Sequence, residues 1–121
     1  QMEARLNLAD GLWNIGLVKD ARFHYLTALK SSPSNARALN GIGLWHLSQG
    51  DAKQAEANFR KSMNSDQTYL PAYNNLAIAL ERLNQKAQAI LILKKALQKD
   101  PNFEDARTNL DRLEKPANMA S

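Results

Sequence analysis

Residues 47–56, LSQGDAKQAE, place a Gly-Asp pair between two stretches whose apolar residues recur every three or four positions, with Ala55 four residues beyond Asp51. The arrangement recurs along the chain. Gly16 lies 34 residues before Gly50, Ala21 lies 34 before Ala55, and Ala89 lies 34 after it. Asn7 and Asn75 are two such steps apart, as are Pro33 and Pro101. A fixed period of this length marks a chain built from repeated supersecondary units, each too small to bury its apolar face alone.

Each unit divides into an apolar-periodic stretch, a short turn, a second such stretch, and a break holding Pro or Asn. The three- and four-residue spacing reads as helix, and nothing alternates at period two as a strand would. Helix A is expected at 2–15, 36–49 and 70–83, and helix B at 18–31, 52–65 and 86–99. A seventh helix, 104–114, has no partner after it. The expected organisation is one domain over 1–121: repeats 2–35, 36–69 and 70–103, a capping helix 104–115, and a disordered tail 116–121.

The small residues have a mechanical reading. Ala9, Gly43 and Ala77 on the A helices, with Ala21, Ala55 and Ala89 on the B helices, recur where paired antiparallel helices cross, and small side chains there let backbones approach to about 8–10 Å. Gly16 and Gly50 close helix A in the left-handed conformation, and Asp20 and Asp51 sit near the start of helix B, where negative charge suits the helix dipole. Pro33 and Pro101 stop helix B.

Composition narrows the function classes. With 44% hydrophobic and 23% charged residues the chain reads as an ordinary soluble folded domain. The longest apolar run, from Ala89, is broken by Lys94 and Lys95, well short of the roughly 20 residues a bilayer span needs. The absence of cysteine excludes disulfides and thiolate chemistry without choosing between a cytoplasmic and a periplasmic setting. No charged-then-apolar leader follows Gln1, so any targeting signal is expected outside this chain. His24 and His46 are the two histidines, and no acidic residue is spaced with them as a metal triad. His46 is expected in packing and His24 on the surface. Gly41-Ile42-Gly43 falls mid-helix rather than in a phosphate loop. No catalytic constellation, metal site or cofactor is expected.

The pattern of large and small residues resembles the tetratricopeptide repeat. That signature is a large residue, then Leu, Gly or Ala, Tyr, Ala, Phe or Tyr, Ala and Pro at fixed offsets within 34 residues. The second unit supplies Leu39, Ile42, Gly43, His46, Ala55, Phe59 and Ser62. The third supplies Tyr73, Leu76, Ala77, Leu80, Ala89, Leu93, Ala96 and Pro101, and the first supplies Leu8, Ala9, Leu12, Ala21, Tyr25, Ala28 and Pro33. Departures are Gln67 for the terminal proline, Asn84-Gln85 for the third Gly-Asp turn, and Arg5 and Arg107 where a large apolar residue is usual. The resemblance implies an all-α fold of stacked helix hairpins in a right-handed superhelix. The final helix, with Asp111 where Ala or Gly is usual, would present a polar end to solvent.

The resemblance also implies a concave groove lined by the A helices, the family's usual protein-binding surface. Its expected lining is Glu3, Leu6, Asn7, Asp10, Trp13 and Asn14 from the first; Arg37, Asn40, Gly41, Leu44, Leu47 and Ser48 from the second; Pro71, Asn74, Asn75, Ile78, Glu81 and Arg82 from the third. Thr108, Asn109 and Arg112 would continue it. Asn7, Asn75 and Asn109 form a ladder of amides able to donate to and accept from an extended peptide backbone, interrupted at Gly41. Trp13, Leu6, Leu44, Leu47 and Ile78 would add apolar anchors, whereas Trp45 is expected between helices. The carboxylate clamp that co-chaperone members use for acidic C-termini would fall on Leu6, Asp10, Pro71 and Asn75, which do not supply it. The expected function is a non-enzymatic scaffold binding a protein or peptide segment. Modules of this kind occur in bacterial pilus and secretion assemblies. The alternative is self-assembly into homo-oligomers through the repeat ends or the groove. Net charge is +4, and the basic residues concentrate on the B helices, ten against two acidic. Long basic side chains there cover apolar surface, and no aromatics interleave with them as base stacking requires, which argues against nucleic acid.

Overall fold

The computed structural model describes residues 1–115; the expected tail, 116–121, lies outside them. They form seven helices: α1 (Met2–Asn14), α2 (Val18–Ser31), α3 (Ala36–Ser48), α4 (Ala52–Ser65), α5 (Pro71–Arg82), α6 (Lys86–Lys99) and α7 (Glu104–Glu114). Among the described residues no strand occurs, and the architecture is an all-α helical repeat. The expected A-helix spans run one residue too far at their C-terminal ends, because Ile15, Gln49 and Leu83 have already left helical geometry, with ψ of 8°, 3° and 12°, and α5 also starts one residue later than expected. Pro71 opens α5, where its missing N–H costs nothing.

Every A-to-B turn passes through a left-handed residue. Gly16 and Gly50 have φ of 90° and 81°, and Asn84 does the same work in the third turn at φ 63°. Asparagine tolerates that region better than most side-chain-bearing residues, so the departure at Asn84 preserves the turn. Asp51 caps α4 by accepting from the Gln54 amide at 3.1 Å, and Asn35 caps α3 through the Ala38 amide at 2.9 Å. Pro33 and Pro101 lie just past α2 and α6. Where Gln67 replaces proline, the Asx turn after α4 is kept: Asp66 Oδ1 accepts from the amide and the hydroxyl of Thr68 at 3.0 and 2.6 Å, as Asp100 Oδ1 accepts from the Asn102 amide at 3.0 Å beside Pro101.

Consecutive helices pack pairwise, and each A helix after α1 also touches the preceding B and A helices. Ala9, Ala21, Ala55, Ala77 and Ala89 are buried at the crossings. At Gly43 a Cβ would stand 2.4 Å from the Phe59 ring, so only glycine lets α4 approach α3. Phe59, Tyr73, Leu76, Leu80 and Leu93 are completely enclosed, and each such large apolar side chain contributes about 1.5–3 kcal/mol. Leu8 departs from its expected packing role. It is 49% exposed, while its counterparts Ile42 and Leu76 are buried, because no described helix covers that side of α1. At the other end α7 buries Ala106, Leu110 and Leu113 and leaves Asp111 in solvent.

Candidate functional site

The A helices α1, α3, α5 and α7 contact one another in sequence, and the residues expected to line their open side divide into two groups. Asn7, Asp10, Trp13, Arg37, Leu44, Asn75, Ile78, Arg82 and Asn109 are exposed or half-buried and remain accessible, as do Glu3, Asn14, Ser48 and Pro71. Leu6 and Leu47 do not: they are 3% and 8% exposed. Asn40, Asn74 and Gly41 are also buried. The fifth position of each A helix points at the next A helix rather than into the open, so Leu6 joins the core with Ala38 and Ile42, and Asn40 and Asn74 become interhelical acceptors.

The asparagine ladder is therefore partly spent on the fold. Asn75 Nδ2 donates to Asn40 Oδ1 at 2.9 Å, and Asn109 Nδ2 donates to Asn74 Oδ1 at 2.8 Å. Asn7 Oδ1 accepts from Arg37 Nη2 at 2.7 Å. An amide has two donor hydrogens and an oxygen with two lone pairs, so Asn75 keeps one N–H and its carbonyl free for a ligand. The break at Gly41 has a steric cause, since a Cβ there would meet the Tyr25 ring at 2.5 Å.

Asp10 organises the α1 end. It accepts from the Tyr25 hydroxyl and from Arg37 Nε and Nη2 at 3.0 and 2.8 Å, with Glu3 4.0 Å from the same guanidinium. Burial first, and the bond to Asp10 second, push the Tyr25 phenol far above its usual range. Burial opposes the charge of Arg37, but the hydrogen bond and charge of Asp10 outweigh it and raise the guanidinium further. At the α7 end Arg112 grips both carboxylate oxygens of Glu81 at 2.7 and 2.8 Å, and Arg82 donates to the Leu47 carbonyl at 3.2 Å. The groove cations are thus committed to intramolecular partners.

Between these ends a pocket of about 240 Å³ is lined by Asp10, Trp13, Asn14, Tyr25, Asn40, Leu44, Tyr69, Pro71 and Asn75. It joins an apolar wall to convergent polar groups, the usual composition of a recognition site. Tyr25 and Tyr69 are the members that reading the A helices alone misses, because one lies on α2 and the other in the turn before α5. A second depression, about 310 Å³, lies between α4 and α6 and is lined by Met63, Asn64, Gln67, Tyr73, Lys95, Gln98 and Lys99. It gathers flexible polar side chains around Met63 and Tyr73.

Trp45 sits between helices as expected, with Arg22 over its ring at 4.2 Å and His46 edge-on at 5.2 Å. His24 is half-buried rather than on the surface, its Nδ1 3.0 Å from Arg5 Nη1. Among the described residues no group of three His, Cys, Asp or Glu could hold a metal ion, and no helix is long and apolar enough to cross a membrane.

A search of solved structures finds an O-GlcNAc transferase from Thermobaculum terrenum at 25% identity and TM-score 0.88, the match covering 93% of this chain and 22% of that one. The chain thus spans about a fifth of the transferase. The Arabidopsis OM64 TPR domain matches at 23% identity and TM-score 0.82, covering 93% of both chains. The TPR2B domain of yeast Sti1, solved as a complex with pHsp70, matches at 20% and 0.79, covering 93% of this chain and 91% of that one. No curated protein matches. Two family models, each described as a tetratricopeptide repeat, match residues 46–113 and 6–66. Each spans half of the chain or more, and together with the seven-helix repeat they establish that the chain belongs to the tetratricopeptide repeat family.

Proposed function

We propose that the chain is a non-catalytic interaction scaffold that holds an extended or helical segment of a partner protein in the groove formed by α1, α3 and α5. The observation that carries this reading is the pocket of Trp13, Leu44, Tyr69 and Asn75, in which apolar anchors surround an amide that keeps hydrogen-bonding capacity unspent. Neutral amide contacts would contribute about 1 kcal/mol each, with the buried anchors contributing more. Three hairpins present a small surface, so affinity on the order of micromolar is expected.

Similar folds are known with peptides bound: the first TPR of Spaghetti holds the HSP90 peptide SRMEEVD, and the second TPR domain of human RPAP3 holds the HSP70 peptide SGPTIEEVD. These support a groove that takes peptides, not the same ligand. The clamp positions hold Leu6, Asp10, Pro71 and Asn75, and Arg37 is already engaged by Asp10 and Asn7. A segment without an acidic terminus fits this groove better.

The test is a displayed library of short peptides panned on the wild-type chain and counter-screened on the Leu44→Asp/Asn75→Ala variant. Enrichment of sequences retained only by the wild type is expected. Sequences retained equally by both would place binding elsewhere. A pull-down with the same pair then names the cellular partner and its setting, pilus and secretion assemblies among them.

A further inference from the structure

The groove pocket carries charge of one sign. Among the described residues that line it, Asp10 alone is charged at neutral pH, and Arg37, Arg82 and Arg112 all lie outside the lining. Aromatic rings share the wall with it. Trp13 and Tyr69 are half-buried, so each leaves surface to a ligand, while Tyr25 is enclosed.

Asp10 is not used up by its partners. Its side chain is 40% exposed. Oδ2 accepts both bonds from Arg37, whereas Oδ1 accepts from the Tyr25 hydroxyl. A carboxylate oxygen has two lone pairs, so Oδ1 keeps one acceptor position. The carboxylate also outweighs the guanidinium on the pocket side. Burial is the largest effect raising the Tyr69 phenol, and the charge of Asp10 raises it further, by more than Arg37 lowers it. At Tyr25, too, the pull of Arg37 is smaller than that of burial, of the bond to Asp10 and of its charge.

A carboxylate beside aromatic rings selects among side chains. An acidic one is repelled by Asp10, and an aliphatic one strips water from the carboxylate without replacing its hydrogen bond. A cation satisfies both walls, since ring faces attract positive charge and a carboxylate accepts a charge-assisted bond from it. The chain already uses the first of these contacts internally, with Arg22 over the Trp45 ring at 4.2 Å. Size agrees as well. The pocket's volume of about 240 Å³ is below the roughly 300–1,000 Å³ of sites that enclose a drug-sized molecule, which suits one side chain. Leu44 and Pro71 offer apolar surface to a methylene stem, and Asn75 keeps amide capacity for the backbone that carries it.

We infer that the pocket seats a lysine or arginine side chain of the partner segment, an assignment that rests on the groove being the binding surface. The stem lies along Leu44, the cation meets the Trp13 and Tyr69 rings, and one of its N–H groups donates to Asp10 Oδ1.

The test starts from peptides that a displayed library yields on the wild-type chain after counter-screening on Leu44→Asp/Asn75→Ala. They should share one lysine or arginine at a fixed position. One such peptide is then compared with its norleucine counterpart, which keeps the stem and removes the charge. The wild type should bind the norleucine peptide at least about tenfold more weakly. That ratio should collapse in Asp10→Asn, which still offers an oxygen to the Tyr25 hydroxyl, and should shrink in Trp13→Leu. Comparing two peptides on one variant cancels any general weakening of its fold. A ratio in Asp10→Asn equal to that of the wild type would overturn the assignment. Peptides retained only by the wild type but sharing no basic residue would overturn it while leaving the groove reading in place. Peptides retained equally by Leu44→Asp/Asn75→Ala would overturn both.

Discussion

Asn75 on α5 hands one amide hydrogen to the buried carbonyl of Asn40 on α3 at 2.9 Å, and Asn109 repeats the bond onto Asn74 one repeat later. The two pairs fasten successive A helices along the groove floor and fix the orientation of the amides that face outward. Asn40→Ala removes the acceptor of a half-buried donor and leaves a small void. A loss of about 1–3 kcal/mol in unfolding free energy is expected by denaturant titration, and a comparable one for Asn75→Ala, which leaves the buried Asn40 carbonyl without its donor.

The helix-interior glycines should separate sharply. Gly41→Ala and Gly43→Ala force a methyl group into the Tyr25 and Phe59 rings, and overpacking of that kind costs about 1–3 kcal/mol. Gly11→Ala meets open space and should stabilise the chain by about 0.5–1 kcal/mol. Thermal unfolding of the three variants side by side orders them.

Asp10 holds Tyr25 and Arg37 at once, so Asp10→Ala leaves a phenol and a guanidinium without their acceptor. Arg37 stays partly solvated, but the Tyr25 hydroxyl is buried, so a cost of about 1–3 kcal/mol is expected. The sharper effect should be on binding, since Arg37 becomes free and the groove gains an uncommitted cation. Peptides with acidic residues should then be retained by Asp10→Ala and not by the wild type, as a repeat of the display selection would report.

Glu81 gives the acid response a local origin. Its hydrogen bonds from Arg112 hold the carboxyl below its ordinary range. A depressed folded-state value means that the stabilisation is present above the unfolded value, about 4.3, and is lost as pH falls through the folded one. Glu81→Gln should therefore flatten the stability profile below about pH 4 while changing neutral stability little, the pair being well exposed. Denaturant midpoints at acid and neutral pH measure this.

The 34-residue period carried most of the fold into view, since Gly50, Ala55 and their equivalents fix the turn and the crossing within each hairpin. The third turn was legible too, because Asn84 is chemically able to take the place of Gly. Less visible was how the hairpins are rotated on one another. Leu6 and Asn7 are adjacent in sequence, yet one is enclosed by the next hairpin and the other is open. A helix-by-helix register therefore assigns Leu6, Leu47, Asn40 and Asn74 to the groove when packing between repeats claims them. Tyr25 and Tyr69 were hidden for the converse reason, reaching the groove from outside the A helices. Leu8 carries the signature of a core position, and only the three-dimensional arrangement shows that no described helix covers it.

The central claim is that the partner segment lies against Leu44 in the groove, and titration of a display-selected peptide tests it most directly. Wild type, Leu44→Asp and Leu91→Asp are compared, Leu91 being an equally large apolar residue that is 66% exposed on α6, outside the groove. The account predicts that Leu91→Asp binds as the wild type does and that Leu44→Asp weakens binding at least about tenfold, or 1.4 kcal/mol. Undiminished binding by Leu44→Asp, with loss in Leu91→Asp, would contradict it.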